Sequence, residues 1–154
     1  MNLVDELHAV AAALTAAGIR YAICGGIAVT IHGAIRSTKD IDVLIDPADV
    51  ARVLDVVRLL GYTFAALPMT FDEGGAAERH VQRVSKVVGA QHMLIDLLLA
   101  DGILATAMDD RIDVVLEAGP LSVVSLVTLK RMKQLAGRAQ DLADLEKLEA
   151  NDEP

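Results

Sequence analysis

The strongest constraint on this chain is one stretch, "ICGGIAVTIHGAIRSTKDIDVLID", residues 23 to 46. A glycine pair interrupts an apolar run, and thirteen residues separate Gly26 from Asp40-Ile41-Asp42. "RYAIC" (20–24) is a short β-rich run that Gly25-Gly26 stops, "IAVTIHGA" reads as a short helix, and "DIDVLID" (40–46) reads as a strand. Side chains alternate along a strand, so Asp40 and Asp42 share one side, ~6.5 Å apart, while Ile41, Val43 and Ile45 point into the core. Two adjacent like charges repel, and burial raises their pKa values. A cation between them removes both difficulties. Carboxylates at i and i+2 suit Mg²⁺, a hard ion that keeps several waters.

A bare Asp-x-Asp more often ends a strand in solvent, but three neighbouring features argue against that here. Gly25-Gly26 lets a phosphate approach the backbone where a helix begins. Arg36, Ser37, Thr38 and Lys39 bring donors and positive charge up to Asp40, although Lys39 alternates onto the opposite face. Asp96 is the one charged residue in "HMLIDLLLA" (92–100). An isolated ionised carboxylate in such a strand is expensive to bury, and it becomes reasonable beside Asp40 and Asp42.

The remaining sequence supplies a frame for this site. Leu3, Leu7, Val10 and Leu14 recur at helical spacing, giving a helix over 3–17 that Gly18 ends. Pro47 starts a second helix that Gly61 closes. "YTFAAL" is a strand candidate, and "PMTFDEGGAAE" (68–78) reads as a loop. "RHVQRVSKVV" and "QHMLIDLLLA" form a hairpin about Gly89-Ala90, in which Arg79, Arg83 and Ser85 share a face that could meet substrate. A short helix over 101–109 and two short strands around Gly119-Pro120 follow. Residues 125–150 are helical, with Ser125 as N-cap, a break near Gly137 and a frayed "NDEP" tail. The expected fold is α/β (α+β), a mixed sheet with helices packed on it and a helical C-terminus, in a single domain over 1–154.

Composition narrows the class. At 53% hydrophobic the chain can bury a full core, and its net charge of −8 argues against broad binding to nucleic acid. No apolar run reaches the ~18 residues of a membrane span. The N-terminus lacks a basic signal-peptide region, and one cysteine, Cys24, excludes an internal disulfide. A cytoplasmic location is the simplest expectation. His32, His80 and His92 read as capping, packing or exposed residues rather than ligands.

These residues resemble a known family. Cys24-Gly25-Gly26, then Asp40-Ile41-Asp42-Val43, then Ile95-Asp96-Leu97 is similar to the nucleotidyltransferase superfamily of the DNA polymerase beta type, and most similar to small bacterial abortive-infection-type members. Lys130 or Lys133, Arg138, Asp141 and Asp144 match those members more loosely. The resemblance implies transfer of a nucleoside monophosphate from an NTP to an acceptor hydroxyl, with loss of pyrophosphate. It implies Asp40, Asp42 and Asp96 as catalytic ligands of two Mg²⁺ ions, with Mn²⁺ as a substitute. It implies Gly25, Gly26, Arg36, Ser37, Thr38, Lys130 and Lys133 as nucleotide-binding residues. The second glycine is often serine in the superfamily, and without that hydroxyl phosphate contact falls to the backbone or to Ser37 and Thr38. The acceptor is open among tRNA, a protein and a small molecule. A toxin role would bring a cognate antitoxin. The alternatives are a catalytically silent nucleotide-binding or protein-interaction module, and a carboxylate metal-binding domain without nucleotide.

Overall fold

A computed structural model describes residues 1–152. Helix α1 (Leu3–Ala16) is capped by Asn2, whose side chain accepts from the amides of Val4 and Asp5, and Gly18 at φ 69° turns the chain away. Strand β1 (Tyr21–Cys24) runs straight into α2 (Gly25–Ile31), and a loop leads to β2 (Ile41–Ile45). The expected helix after Pro47 forms as a 3₁₀ turn (Pro47–Asp49) and then α3 (Val50–Arg58), which buries Val53 and Val57.

Three expectations change in detail. The strand candidate at 62–67 shrinks to β3 (Phe64–Ala65), and the expected loop at 68–78 contains a further strand, β4 (Met69–Phe71). Both pair with the long strand β5 (Arg79–Val88), so three residues inside the expected loop gain ladder bonds that no local pattern announces. The short helix at 101–109 contracts to a 3₁₀ turn (Gly102–Leu104). Gly119-Pro120 is not the turn between the last strands: β7 (Ile112–Leu116) and β8 (Gly119–Val123) turn at Glu117-Ala118, and Pro120 lies inside β8.

The hairpin of β5 and β6 (Gln91–Leu99) forms as expected, with Val88 opposite Gln91. The sheet runs β3-β5-β6-β2-β1-β8-β7, with β4 attached to β5. It is mixed: β2 is parallel to β6 and antiparallel to β1, and β1 is parallel to β8. Ile41, Val43 and Ile45 of the central strand are fully buried.

Ser125 caps α4 (Leu126–Ala136), accepting from the Thr128 amide, and Gly137 at φ 63° ends it. Helix α5 (Ala139–Asp152) folds back on α4. Asn151 and Asp152 of the tail expected to fray close α5, and the last two positions lie outside the described residues. One hydrophobic cluster runs from Leu7 to Leu148. No helix among the described residues is long and apolar enough to cross a membrane.

Candidate active site

Strand register builds the site. Cys24 of β1 lies opposite Asp42 of β2, Asp42 beside Asp96 of β6, and Asp96 opposite Arg83 of β5. This charged row crosses four strands on one sheet face. Two residues along β5 and β6, on the same face, lies an apolar row, with Leu98 opposite Val81 and Val81 opposite Met69. A third row pairs Arg79 with Phe71. Successive rows are ~7 Å apart on strand geometry. Leu129, Met132 and Lys133 of α4, with Leu104, face these rows across a cleft of about 410 Å³.

Asp42 is the least balanced charge in the cleft. Burial, then the charges of Asp96 and Asp40, push its carboxyl up to about 6, with Lys133 and Arg36 offsetting only part of this. Its carboxylate makes no side-chain hydrogen bond among the described residues. It lies directly over Gly25: a Cβ there would fall 2.0 Å from Asp42 Oδ2, and Gly25 also sits at φ 65°. Both facts demand glycine. Asp96 is held bidentately by Arg83, Nε to Oδ1 at 2.8 Å and Nη2 to Oδ2 at 3.0 Å.

Gly26 has a different reason. A Cβ there would meet Arg36 Nη1 at 2.2 Å and Thr38 Oγ1 at 2.9 Å. The Arg36 guanidinium occupies the space that a serine side chain would take, so a cationic donor replaces the hydroxyl. Arg36 is held from behind by Asp144 of α5, Nε to Oδ1 at 3.3 Å. Lys133, also buried, lies 3.2 Å from Asp141 Oδ1 and 3.0 Å from Asp144 Oδ2. The Arg36 and Lys133 contacts to Asp144 are ion pairs without hydrogen-bond geometry. Burial works against ionisation of Asp141, but hydrogen bonds from Arg138 and Lys133 outweigh it and hold the carboxyl below its usual range.

Of the residues expected in the site, Gly25, Gly26, Arg36, Asp42, Asp96 and Lys133 line the cleft. Ser37, Thr38, Asp40 and Lys130 do not. Asp40 precedes β2 in a bend and acts on Asp42 through its charge. Ser37 is exposed, and Thr38 Oγ1 donates to the Asp40 carbonyl. His32 takes the structural role, its Nε2 lying 2.8 Å from the Val124 carbonyl. Burial pushes the Cys24 thiol well up, which removes it as a nucleophile.

Sequence reasoning placed Arg83 on a face that could meet substrate but missed it as the partner of Asp96. The signal was present, since a two-residue turn at Gly89-Ala90 forces Arg83 opposite Asp96. Phe71 and Met69 were also missed, because β4 was read as loop.

Among the described residues no three His, Cys, Asp or Glu side chains are placed to hold a metal together. The donors nevertheless suit Mg²⁺: Asp42 is an unpaired carboxylate oxygen donor beside Asp96, and Mg²⁺ commonly takes one or two carboxylates plus water and substrate phosphate.

A family model described as aminoglycoside-2''-adenylyltransferase matches residues 6–84. Among solved structures, TM1012 of Thermotoga maritima, a candidate nucleotidyltransferase, superposes with a TM-score of 0.64 at 12% identity, over 96% of this chain and 92% of its own. The antibiotic-resistance factor ANT(2'')-Ia gives 0.62 at 16% identity, over 96% of this chain and 83% of its own. The lincosamide adenylyltransferase LnuA, lincomycin-bound, gives 0.56 at 13%, over 94% and 95%. At these identities the likeness is one of fold. No curated protein sequence matches the chain.

Proposed function

The chain is a nucleotidyltransferase of the aminoglycoside-2''-adenylyltransferase family, and from that premise we propose that it transfers AMP from ATP to a hydroxyl of a small molecule, with Mg²⁺ as cofactor. The observation that supports this best is Asp42, an unpaired carboxylate beside Asp96, set so close over Gly25 that a Cβ there would collide with it.

In this reading the triphosphate lies at the β1 end of the cleft, over Gly25-Gly26. Arg36 and Lys133 neutralise its oxygens there. Asp42, with Asp96 and the nearby charge of Asp40, would hold Mg²⁺. When bound, the ion supplies charge neutralisation at the phosphate under attack and at the leaving pyrophosphate. The acceptor enters from the β4–β5 side. Asp96, fixed in orientation by Arg83, accepts a hydrogen bond from the acceptor hydroxyl and takes its proton as the new O–P bond forms. Placement and charge neutralisation carry most of the rate.

A toxin role that modifies RNA finds little support. The net charge of −8 repels RNA, and a cleft of about 410 Å³ is in the range of small-molecule sites. A silent module on this fold has no use for an uncompensated Asp42. ATP as donor fits a cytoplasmic setting.

The test is pyrophosphate release from ATP with Mg²⁺ and a panel of hydroxyl acceptors. The reading expects release that chelation abolishes and that Asp42→Asn lowers by about 10³-fold or more, comparable to losing a preorganised transition-state contact. Release at the native level by the variant, or nucleotide binding with no turnover for any acceptor, rejects it.

A further inference from the structure

Resting on the proposed nucleotidyl transfer, we propose that the acceptor of this chain is an uncharged hydroxyl compound with an apolar face, not a polycationic amino sugar.

The first observation is the charge of the cleft. Five cationic side chains line it, namely Arg36, Arg79, Arg83, Lys133 and Arg138. Four acids do so, namely Asp42, Asp72, Asp96 and Asp141. Asp144, just behind the lining, pairs with both Arg36 and Lys133, so the cleft is close to neutral and holds no acidic excess that would draw in a polycation.

The second observation is where the acids are. An acceptor hydroxyl has to reach the phosphate beside Asp42 and Asp96 from the side away from the glycines. On that side the charged row gives way to Leu98, Val81 and Met69, and then to Phe71. Leu104 and Met132 line the same cleft. Of the acids that line the cleft, Asp96 and Asp72 lie toward that side, and each already has a cationic partner. Arg83 takes both oxygens of Asp96. Arg79 Nη2 lies 2.9 Å from Asp72 Oδ2, while its guanidinium stacks over the Phe71 ring at 5.7 Å. An ammonium entering this wall meets carboxylates whose charge Arg83 and Arg79 already answer, and otherwise methionine, leucine and valine. An apolar face instead gains ~25 cal/mol per Å² of apolar surface removed from water there.

The experiment is calorimetric. The native chain with Mg²⁺ and a non-hydrolysable ATP analogue is titrated with neutral aryl and alkyl glycosides, among them phenyl β-glucoside, and separately with tobramycin. The expected result is at least tenfold tighter binding of the best neutral glycoside than of tobramycin. Phe71→Ala, at an exposed position, should weaken that glycoside at least fivefold. Arg79→Gln, which releases Asp72, should narrow the ratio at least fivefold in favour of tobramycin. Tighter tobramycin binding by the native chain overturns the proposal. So does a failure of both classes to bind, or a Phe71→Ala variant that binds the glycoside as well as the native chain. Pyrophosphate release is read in parallel: its absence with every acceptor rejects nucleotidyl transfer, whereas the binding ratio alone decides the acceptor class.

Discussion

Two acidic pairs flank the same cleft, and they are treated in opposite ways. Asp141 and Asp144, both almost wholly buried, are surrounded by Lys133, Arg138 and Arg36. Their charge is answered, and the Asp141 carboxyl is held low. Asp42 and Asp96 sit side by side in adjacent strands; Asp96 has Arg83, while Asp42 has no hydrogen-bond donor among the described residues and its carboxyl is pushed up to about 6. The first pair ties the C-terminal helices to the loop between α2 and β2 through Arg36. The second carries a cost that folding alone does not explain, as expected of a group kept for a ligand.

The largest effect should come from removing the unbalanced charge. Asp42→Asn is expected to lower nucleotidyl transfer by about 10³-fold, by loss of charge stabilisation at the reacting phosphate. Without divalent ions at pH 8 it should also raise the melting temperature, because a carboxyl pushed up to about 6 carries about 3 kcal/mol of strain when ionised. Activity assays and thermal melts check the two halves, and an Asp42→Asn variant that is both active and less stable would erase the contrast between the pairs.

The opposite response is expected from Lys133→Met. Breaking a buried ion-pair network leaves Asp141 and Asp144 short of a partner, and the cost should be about 3–5 kcal/mol in denaturant unfolding. A loss under 1 kcal/mol would mean that the network is not structural.

The two pairs should also separate by pH. Asp42 has a folded pKa above its unfolded value, so the folded state binds more protons between about 4 and about 6. Its contribution to stability therefore falls as pH rises through that window, by up to about 3 kcal/mol in the ion-free protein. Asp141 is depressed, so its contribution is present above the unfolded value and is lost as pH falls through the folded one. Subtracting the stability–pH curve of Asp42→Asn from the native curve should isolate the first slope; identical curves would show that Asp42 is not displaced.

Arg138→Ala should do least. Its side chain is 75% exposed while that of Asp141 is 1% exposed, and a solvent-facing arginine contributes about 0–1 kcal/mol. A loss in unfolding free energy as large as that from Lys133→Met would show that Arg138, not Lys133, is the anchor of the network.

The contrast also marks what the residues disclose in order and what they hide. Gly25-Gly26 and Asp40-Ile41-Asp42 lie in one stretch, so their chemistry could be read locally. The hairpin turn at Gly89-Ala90 contained the register that sets Arg83 against Asp96. Strand β4 was hidden because Met69–Phe71 is too short for a period and exists through its pairing with β5. The burial of Lys133 was hidden because it depends on α5 folding back at Gly137, which brings Asp141 and Asp144 onto a lysine that looks like a surface residue one turn from Lys130. Arg36 in place of a serine hydroxyl was hidden for the same reason, since Asp144, far along the chain, holds its guanidinium.

The most direct measurement of the central claim is calorimetric binding of a non-hydrolysable ATP analogue, with and without Mg²⁺, to the native chain and to Asp42→Asn. The account predicts that Mg²⁺ tightens binding to the native chain at least tenfold and has little effect on the variant. The same Mg²⁺ dependence in both would contradict it.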